Sequence, residues 1–137
     1  NMYIQADDIL YAILTDLVEN KSVDTFYVGN QGDFDYMVKC GLKRLKTAYP
    51  HINYSVVLAY IPKPQEPSYM DYSDTIYPEG LENTPLKYAI TKRNRWMLDK
   101  SDYVITYTVN SAGGAAQFKA LAEKKGKCVI PLDTYIS

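Results

Sequence analysis

The sequence predicts an α/β domain built on a doubly wound, mainly parallel sheet with helices on both faces. Three observations point there. Helical and strand-like segments alternate along the chain, the pattern that winds a parallel sheet. Within the strand expected over Tyr54 to Tyr60, Val56, Val57 and Leu58 follow one another without a polar break, as in strands covered on both faces. Two strand-to-helix connections are short, polar and glycine-bearing, and such loops collect beyond the carboxyl ends of the strands in an open sheet. At 137 residues the chain is a single domain, 1–137, with enough length for one sizeable core but not for two.

The elements follow in order. Ile9, Leu10, Ile13, Leu14, Leu17 and Val18 repeat at helical spacing, with Asp7 and Asp8 in the first turn, so a helix is expected from about Asp7 to Asn20. Thr25-Phe26-Tyr27-Val28 is a short strand. A second helix carries Phe34, Met37, Val38, Leu42 and Leu45 on one face and ends by Pro50. After the Tyr54–Tyr60 strand comes Pro62 to Pro85, with five prolines and one lysine against five carboxylates. Prolines at that density exclude a regular helix. The segment is either a loop packed through its tyrosines or an acidic insertion without a packing role. Leu86 to Lys100 is a helix with five basic residues against one acidic. A strand over Asp102–Tyr107, a helix marked by Ala115, Phe118, Leu121 and Ala122 and stopped at Gly126, and a strand over Lys127–Leu132 complete the order. The chain opens on a helix, and a first strand of the sheet is expected to precede it.

Composition excludes several classes. The formal net charge is -1, which argues against a general nucleic-acid binder. The longest apolar run, Val56 to Ile61, is far too short for a membrane span. Cys40 and Cys128 lack CxxC spacing and are expected as partly buried free thiols of a cytoplasmic protein, with no metal site. The single histidine, His51, is expected in a turn. Fourteen tyrosines stand against three phenylalanines and one tryptophan, so most rings bring a hydroxyl that needs water, a partner or a ligand.

Three places hold candidate chemistry. In Gly29-Asn30-Gln31-Gly32-Asp33-Phe34-Asp35 a turn opens a helix whose free N–H groups suit an anion. Asp33 and Asp35 would repel an adjacent phosphate but accept hydrogen bonds from ribose hydroxyls. Asp33 is alternatively a helix cap. The loop Asn110-Ser111-Ala112-Gly113-Gly114-Ala115-Ala116-Gln117 has the small residues and helix opening of a phosphate cradle. The third lies inside a helix, where Leu86, Ala89, Ile90 and Met97 form an apolar stripe with Arg93 at its middle and Asn94 on its edge. Arg93 is therefore expected to point inward, either to a loop carboxylate such as Glu79 or to an anionic ligand.

These residues resemble the SLOG superfamily, a Rossmann-like group that includes the cytokinin-riboside phosphoribohydrolases and the Smf-like DNA-processing proteins. The resemblance runs through Phe26-Tyr27-Val28-Gly29-Asn30-Gln31-Gly32, Val57-Leu58-Ala59-Tyr60, Tyr77-Pro78-Glu79-Gly80, Lys92-Arg93-Asn94-Arg95-Trp96-Met97 and Ser111-Ala112-Gly113-Gly114-Ala115-Ala116. It is nearest to a branch of unknown function found in clostridial genomes and phages. That branch begins with a strand and a Gly-His-Arg-like loop, which this sequence does not contain. Where the phosphoribohydrolases carry a Gly-Thr and an essential glutamate, this chain has Ala116-Gln117 and Ala120, so only binding elements carry over.

The resemblance implies a nucleotide or nucleotide-derived ligand. Phosphate would lie at Ser111, Gly113, Gly114, Ala115 and Gln117, with Arg93 and Asn94 adding charge and polarity. Ribose would meet Gly29, Asn30, Gly32, Asp33 and Asp35, and the base would stack on Tyr60 or Tyr77. No cofactor is expected. The alternative is a hydrolase cleaving an N-glycosidic or phosphoribosyl bond with Glu79 as the catalytic carboxylate. DNA binding is the weaker third reading. A homodimer or higher homo-oligomer is expected.

Overall fold

A computed structural model describes residues 5–61, 74–108 and 114–135. Helix α1 (Ala6–Lys21) leads through three residues into strand β1 (Thr25–Val28). Helix α2 (Gly32–Ala48) returns to strand β2 (Asn53–Val57). A two-residue strand β3 (Thr75–Ile76) and a single 3-10 turn (Leu81–Asn83) precede helix α3 (Leu86–Lys100). Strand β4 (Tyr103–Thr106), helix α4 (Gly114–Lys124) and strand β5 (Cys128–Pro131) follow, closed by a 3-10 turn over Leu132–Tyr135.

Every strand pairing is parallel, as the alternation of elements requires. The described strands form two sheets, one in the order β1-β2-β3 and one of β4 with β5. Thr25 pairs with Asn53 and Val28 with Val56. Tyr103 pairs with Cys128 and Thr106 with Pro131. The chain is thus a mixed α/β structure of four helices and small parallel sheets.

The larger core joins α1, α2, β1 and β2. Leu10, Leu14 and Leu17 meet Leu42, Leu45, Val28, Val56 and Leu58 there, and Leu132 closes it from the carboxyl-terminal turn. Gly41 faces α1, where a Cβ would lie 3.4 Å from a Leu14 methyl, an ordinary contact distance. A smaller core of Leu98, Val104 and Ala122, with Phe118, Leu121 and Val129 against it, holds α3 and α4 on the second sheet. Lys125 Nζ reaches Asp99 Oδ1 at 2.8 Å and ties the end of α4 to α3.

Several expectations are refined. Strand β2 ends at Val57, so Leu58 and Ala59 are buried beyond its last pair and Tyr60 lies in the following bend. Both cysteines are exposed rather than partly buried, since Cys40 falls on the outer side of α2 and Cys128 at the first residue of β5. His51 sits in an exposed turn, its ring edge-on to Tyr49. The Pro62–Pro85 segment is described only from Asp74 onward, where Thr75 and Ile76 pair with β2; Tyr69 and Tyr72 lie outside the described residues. Among the described residues no helix is long and apolar enough to cross a membrane.

Leu45 is fully buried in the larger core. Replacing it with alanine removes contacts that the rigid α1–α2 pair cannot close over, and should cost about 2–5 kcal/mol. Urea denaturation followed by circular dichroism measures this directly.

Candidate functional site

The site begins with a buried charge. Arg93 is 2% exposed, which for an arginine demands partners. Its Nη1 donates to the Val57 carbonyl at 2.8 Å and to Asn30 Oδ1 at 3.4 Å, and its Nε donates to Asn94 Oδ1 at 2.9 Å. Helix α3 supplies the arginine and its neighbouring amide, β2 supplies a carbonyl free at its carboxyl end, and the loop after β1 supplies Asn30.

The helical stripe differs from the expected one. Ala89, Arg93 and Leu98 are the buried residues of α3, while Leu86 is 67% and Ile90 40% exposed. Arg93 points inward, as its place in the stripe predicts, while Leu86 and Ile90, on the same face nearer the start of the helix, stay exposed, Ile90 on the border of a cavity.

Gly29 makes the approach possible. A Cβ on it would fall 2.7 Å from Asp35 Oδ2, 2.8 Å from Arg93 Nη1 and 2.9 Å from Arg93 Cζ. The glycine is required by space, and the two opposite charges face each other across it.

Asp35 has a structural task as well. Gln31 occupies the N-cap of α2, without a side-chain cap of its own. The Asp35 carboxylate, four residues on, reaches back and accepts the Gln31 N–H at 2.9 Å, satisfying a donor at the helix start that the helix itself leaves unpaired. Asp33, the capping candidate by sequence, is exposed in the first turn instead. Burial pushes the Asp35 pKa up from its ordinary value, opposed by the Gln31 N–H and by Arg93. Burial lowers the Arg93 pKa, opposed by Asp35 and Tyr60.

The other sequence candidates distribute as follows. Asn30 and Gln31 bridge through Gln31 Nε2 and Asn30 Oδ1 at 3.0 Å. Gly32 opens α2 with φ 85°. Tyr60 is within electrostatic reach of Arg93. Tyr77 packs against the larger core. Glu79 is exposed, and none of the described Arg93 hydrogen bonds goes to it. Gly114, Ala115 and Gln117 are exposed at the start of α4, with open space around Gly114. Ser111 and Gly113 lie outside the described residues.

Phe34 and Thr106 escaped the sequence reading, which did place Tyr107 at the carboxyl end of a strand beside the site. The Phe34 ring lies 5.7 Å from the Tyr107 ring, which brings the ends of β1 and β4 together. Thr106 is buried, and its Oγ1 has no hydrogen-bond partner among the described residues. Its place two residues after Val104, on the same face of the strand, is the signal that would have flagged it. Gly29, Gln31, Asp35, Arg93, Asn94, Thr106, Tyr107, Gly114 and Ala115 all border one cavity of about 710 Å³. Among the described residues no group of histidines, cysteines and carboxylates assembles to hold a metal ion.

Comparison with protein-family models, with curated proteins and with solved structures finds no match to this chain.

Two outcomes test the geometry. Gly29→Ala forces apart a carboxylate and a guanidinium that are both already bonded, and should destabilise the fold by about 1–3 kcal/mol in urea melts. Asp35→Asn removes a group whose folded pKa is raised above 3.8. The stability linked to that group is complete below 3.8 and is lost as pH rises through the folded value. The melting temperature of Asp35→Asn relative to the native chain should therefore climb as pH increases above 3.8, in scans across the acid range.

Proposed function

We propose that this chain binds a nucleotide or nucleotide-derived ligand at the carboxyl ends of β1 and β4, as the SLOG resemblance implies. The observation that carries the proposal is the buried Arg93 guanidinium, held by neutral oxygens from three different elements beside the space left by Gly29. Coulombic contact with Asp35 offsets part of its burial cost, and no described hydrogen bond uses Nη2. An anion arriving at that nitrogen would complete its charge balance, and phosphate suits the planar fork of arginine.

The start of α4 supports the same site. Gly114 opens an eleven-residue helix on the border of the cavity, where N–H groups and the helix dipole favour a negative group. The buried Thr106 hydroxyl offers a further hydrogen bond on the same border. Asn30 and the exposed Asp33 supply acceptors for ribose hydroxyls, and Tyr60 an aromatic face for the base. This reading takes the two sheets as halves of one doubly wound, Rossmann-like sheet, whose carboxyl-end crevice is the usual ligand seat. A homodimer goes with it, for which the exposed Leu86 and Ile90, one turn apart on α3, offer an apolar edge.

Isothermal titration calorimetry against nucleoside monophosphates, NAD-derived metabolites and cyclic dinucleotides tests the proposal. At least one should bind, and Arg93→Lys should weaken it about tenfold to a hundredfold, while Arg95→Ala, exposed on α3, should leave it unchanged. Circular dichroism of each variant separates loss of ligand from loss of fold. Heat from none of the panel would sink the idea.

A further inference from the structure

The carboxyl-end rim of the cavity is short of positive charge for a nucleotide site. Among the described residues the border of the cavity carries three cations and three carboxylates. Lys21, Asp24, Lys100 and Asp102 stand before β1 and β4, a strand's length of about 13 Å from the carboxyl ends. At the carboxyl ends themselves only Arg93 and Asp35 are charged among the described residues of the border. Val109 to Gly113, which precede α4, add no charged residue in sequence.

The two charges are set against each other. A Cβ on Gly29 would lie 2.7 Å from Asp35 Oδ2 and 2.8 Å from Arg93 Nη1, so they face one another across a single missing methyl group. Yet none of the described hydrogen bonds joins them. Arg93 donates to the neutral oxygens of Val57, Asn30 and Asn94, and Asp35 accepts the Gln31 N–H. The carboxylate thus balances the guanidinium through space and leaves its donors to other groups.

The surroundings leave the pair to itself. The loop after β1 presents the neutral Asn30 and Gln31, and the end of β4 the neutral Tyr107. Tyr60, after β2, acts on Arg93 rather than on Asp35. On α2 itself Asp33 is exposed to water, and Asp7 of the neighbouring α1 borders a different cavity with Arg44. The balance at the rim is one positive charge against one negative.

That balance bears on which anion fits. A monoanion arriving at Arg93 leaves the rim with one net negative charge. A dianion leaves two, in a half-buried space where like charges close together are costly. Asp35 can relieve the second charge by taking up a proton, and its burial already favours the neutral acid. A terminal phosphate monoester loses its second proton at about pH 6 and is mostly a dianion at neutral pH. A phosphodiester carries a single charge throughout this range.

We propose that Asp35 sets the charge of the ligand: at neutral pH the site selects a phosphodiester, such as that of a cyclic nucleotide, over a phosphate monoester, which enters only together with a proton. The inference rests on the nucleotide reading of this site and narrows it to one class of phosphate. It also gives Asp35 a different part from the ribose acceptor that the sequence suggests, since a carboxylate facing Arg93 competes with the ligand for the same guanidinium.

Adenosine 5′-monophosphate and its phosphate methyl ester differ by one ionisable oxygen, capped by a methyl group in the ester. Calorimetry with both, on the native chain and on Asp35→Asn, tests the inference; asparagine keeps an oxygen for the Gln31 N–H. At about pH 8 the ester should bind the native chain about tenfold more tightly than the monophosphate. At about pH 5, where the monophosphate is itself a monoanion, the two should bind alike. In Asp35→Asn at about pH 8 the monophosphate should gain about tenfold, and the advantage of the ester should vanish. If the native chain at the higher pH binds the monophosphate as tightly as the ester, or more tightly, the inference is overturned while the nucleotide site stands. An ester advantage that persists at the lower pH, or in Asp35→Asn, belongs to the methyl group and also overturns it. Heat from neither compound in either chain overturns it together with the adenosine nucleotide reading on which it rests. Where circular dichroism shows that Asp35→Asn does not fold, the two native-chain comparisons decide by themselves.

Discussion

The buried guanidinium of Arg93 is the constraint around which the carboxyl end of the molecule is organised. Taking an arginine out of water is costly unless its donors are met. Here they are met by the Val57 carbonyl, by Asn94 and by Asn30, and they come within reach because Gly29 has no side chain. Each partner belongs to a different part of the fold. The end of β2, the loop after β1 and the inner face of α3 must therefore meet at one point. Asp35 adds an opposing charge across Gly29 while holding the amino end of α2 through Gln31, so helix entry and charge balance are linked through one carboxylate.

The rest of the molecule divides on either side of that point. The larger core of α1, α2, β1 and β2 and the smaller core under α3 and α4 each close their own apolar faces. What lies between them is a cavity bordered by two uncharged strand edges. A free backbone edge with buried side chains is an unstable arrangement in water. Backbone groups along such edges need hydrogen-bond partners, from protein or from water.

The tyrosine excess resolves unevenly. Tyr60 and Tyr107 stand near the rim, Tyr107 stacked on Phe34 and Tyr60 close to Arg93. Tyr27 packs edge-on against Trp96, Tyr11 lies under the Arg44 guanidinium, and Tyr77 supports the larger core. Amphipathic rings serve both structure and surface here, because each can bury its body and leave its hydroxyl to water.

By itself the sequence determined the order of the helices and of the four longer strands, though not the two-residue β3, and it fixed the bounds of α3 to the residue and the four residues of β1, because side-chain periodicity, prolines and glycines act over a few neighbouring positions. It also singled out Gly29, Asp35 and Arg93 as residues of one region. Only the tertiary structure decided what the inward Arg93 bonds to, since its partners are a carbonyl 36 residues away in sequence and the Asn30 amide rather than Glu79. It likewise decided that the Thr106 hydroxyl is buried without a hydrogen-bond partner among the described residues, and that β1 and β4 border a common space. These are long-range matters of which backbone groups find partners, and local pattern carries no record of them.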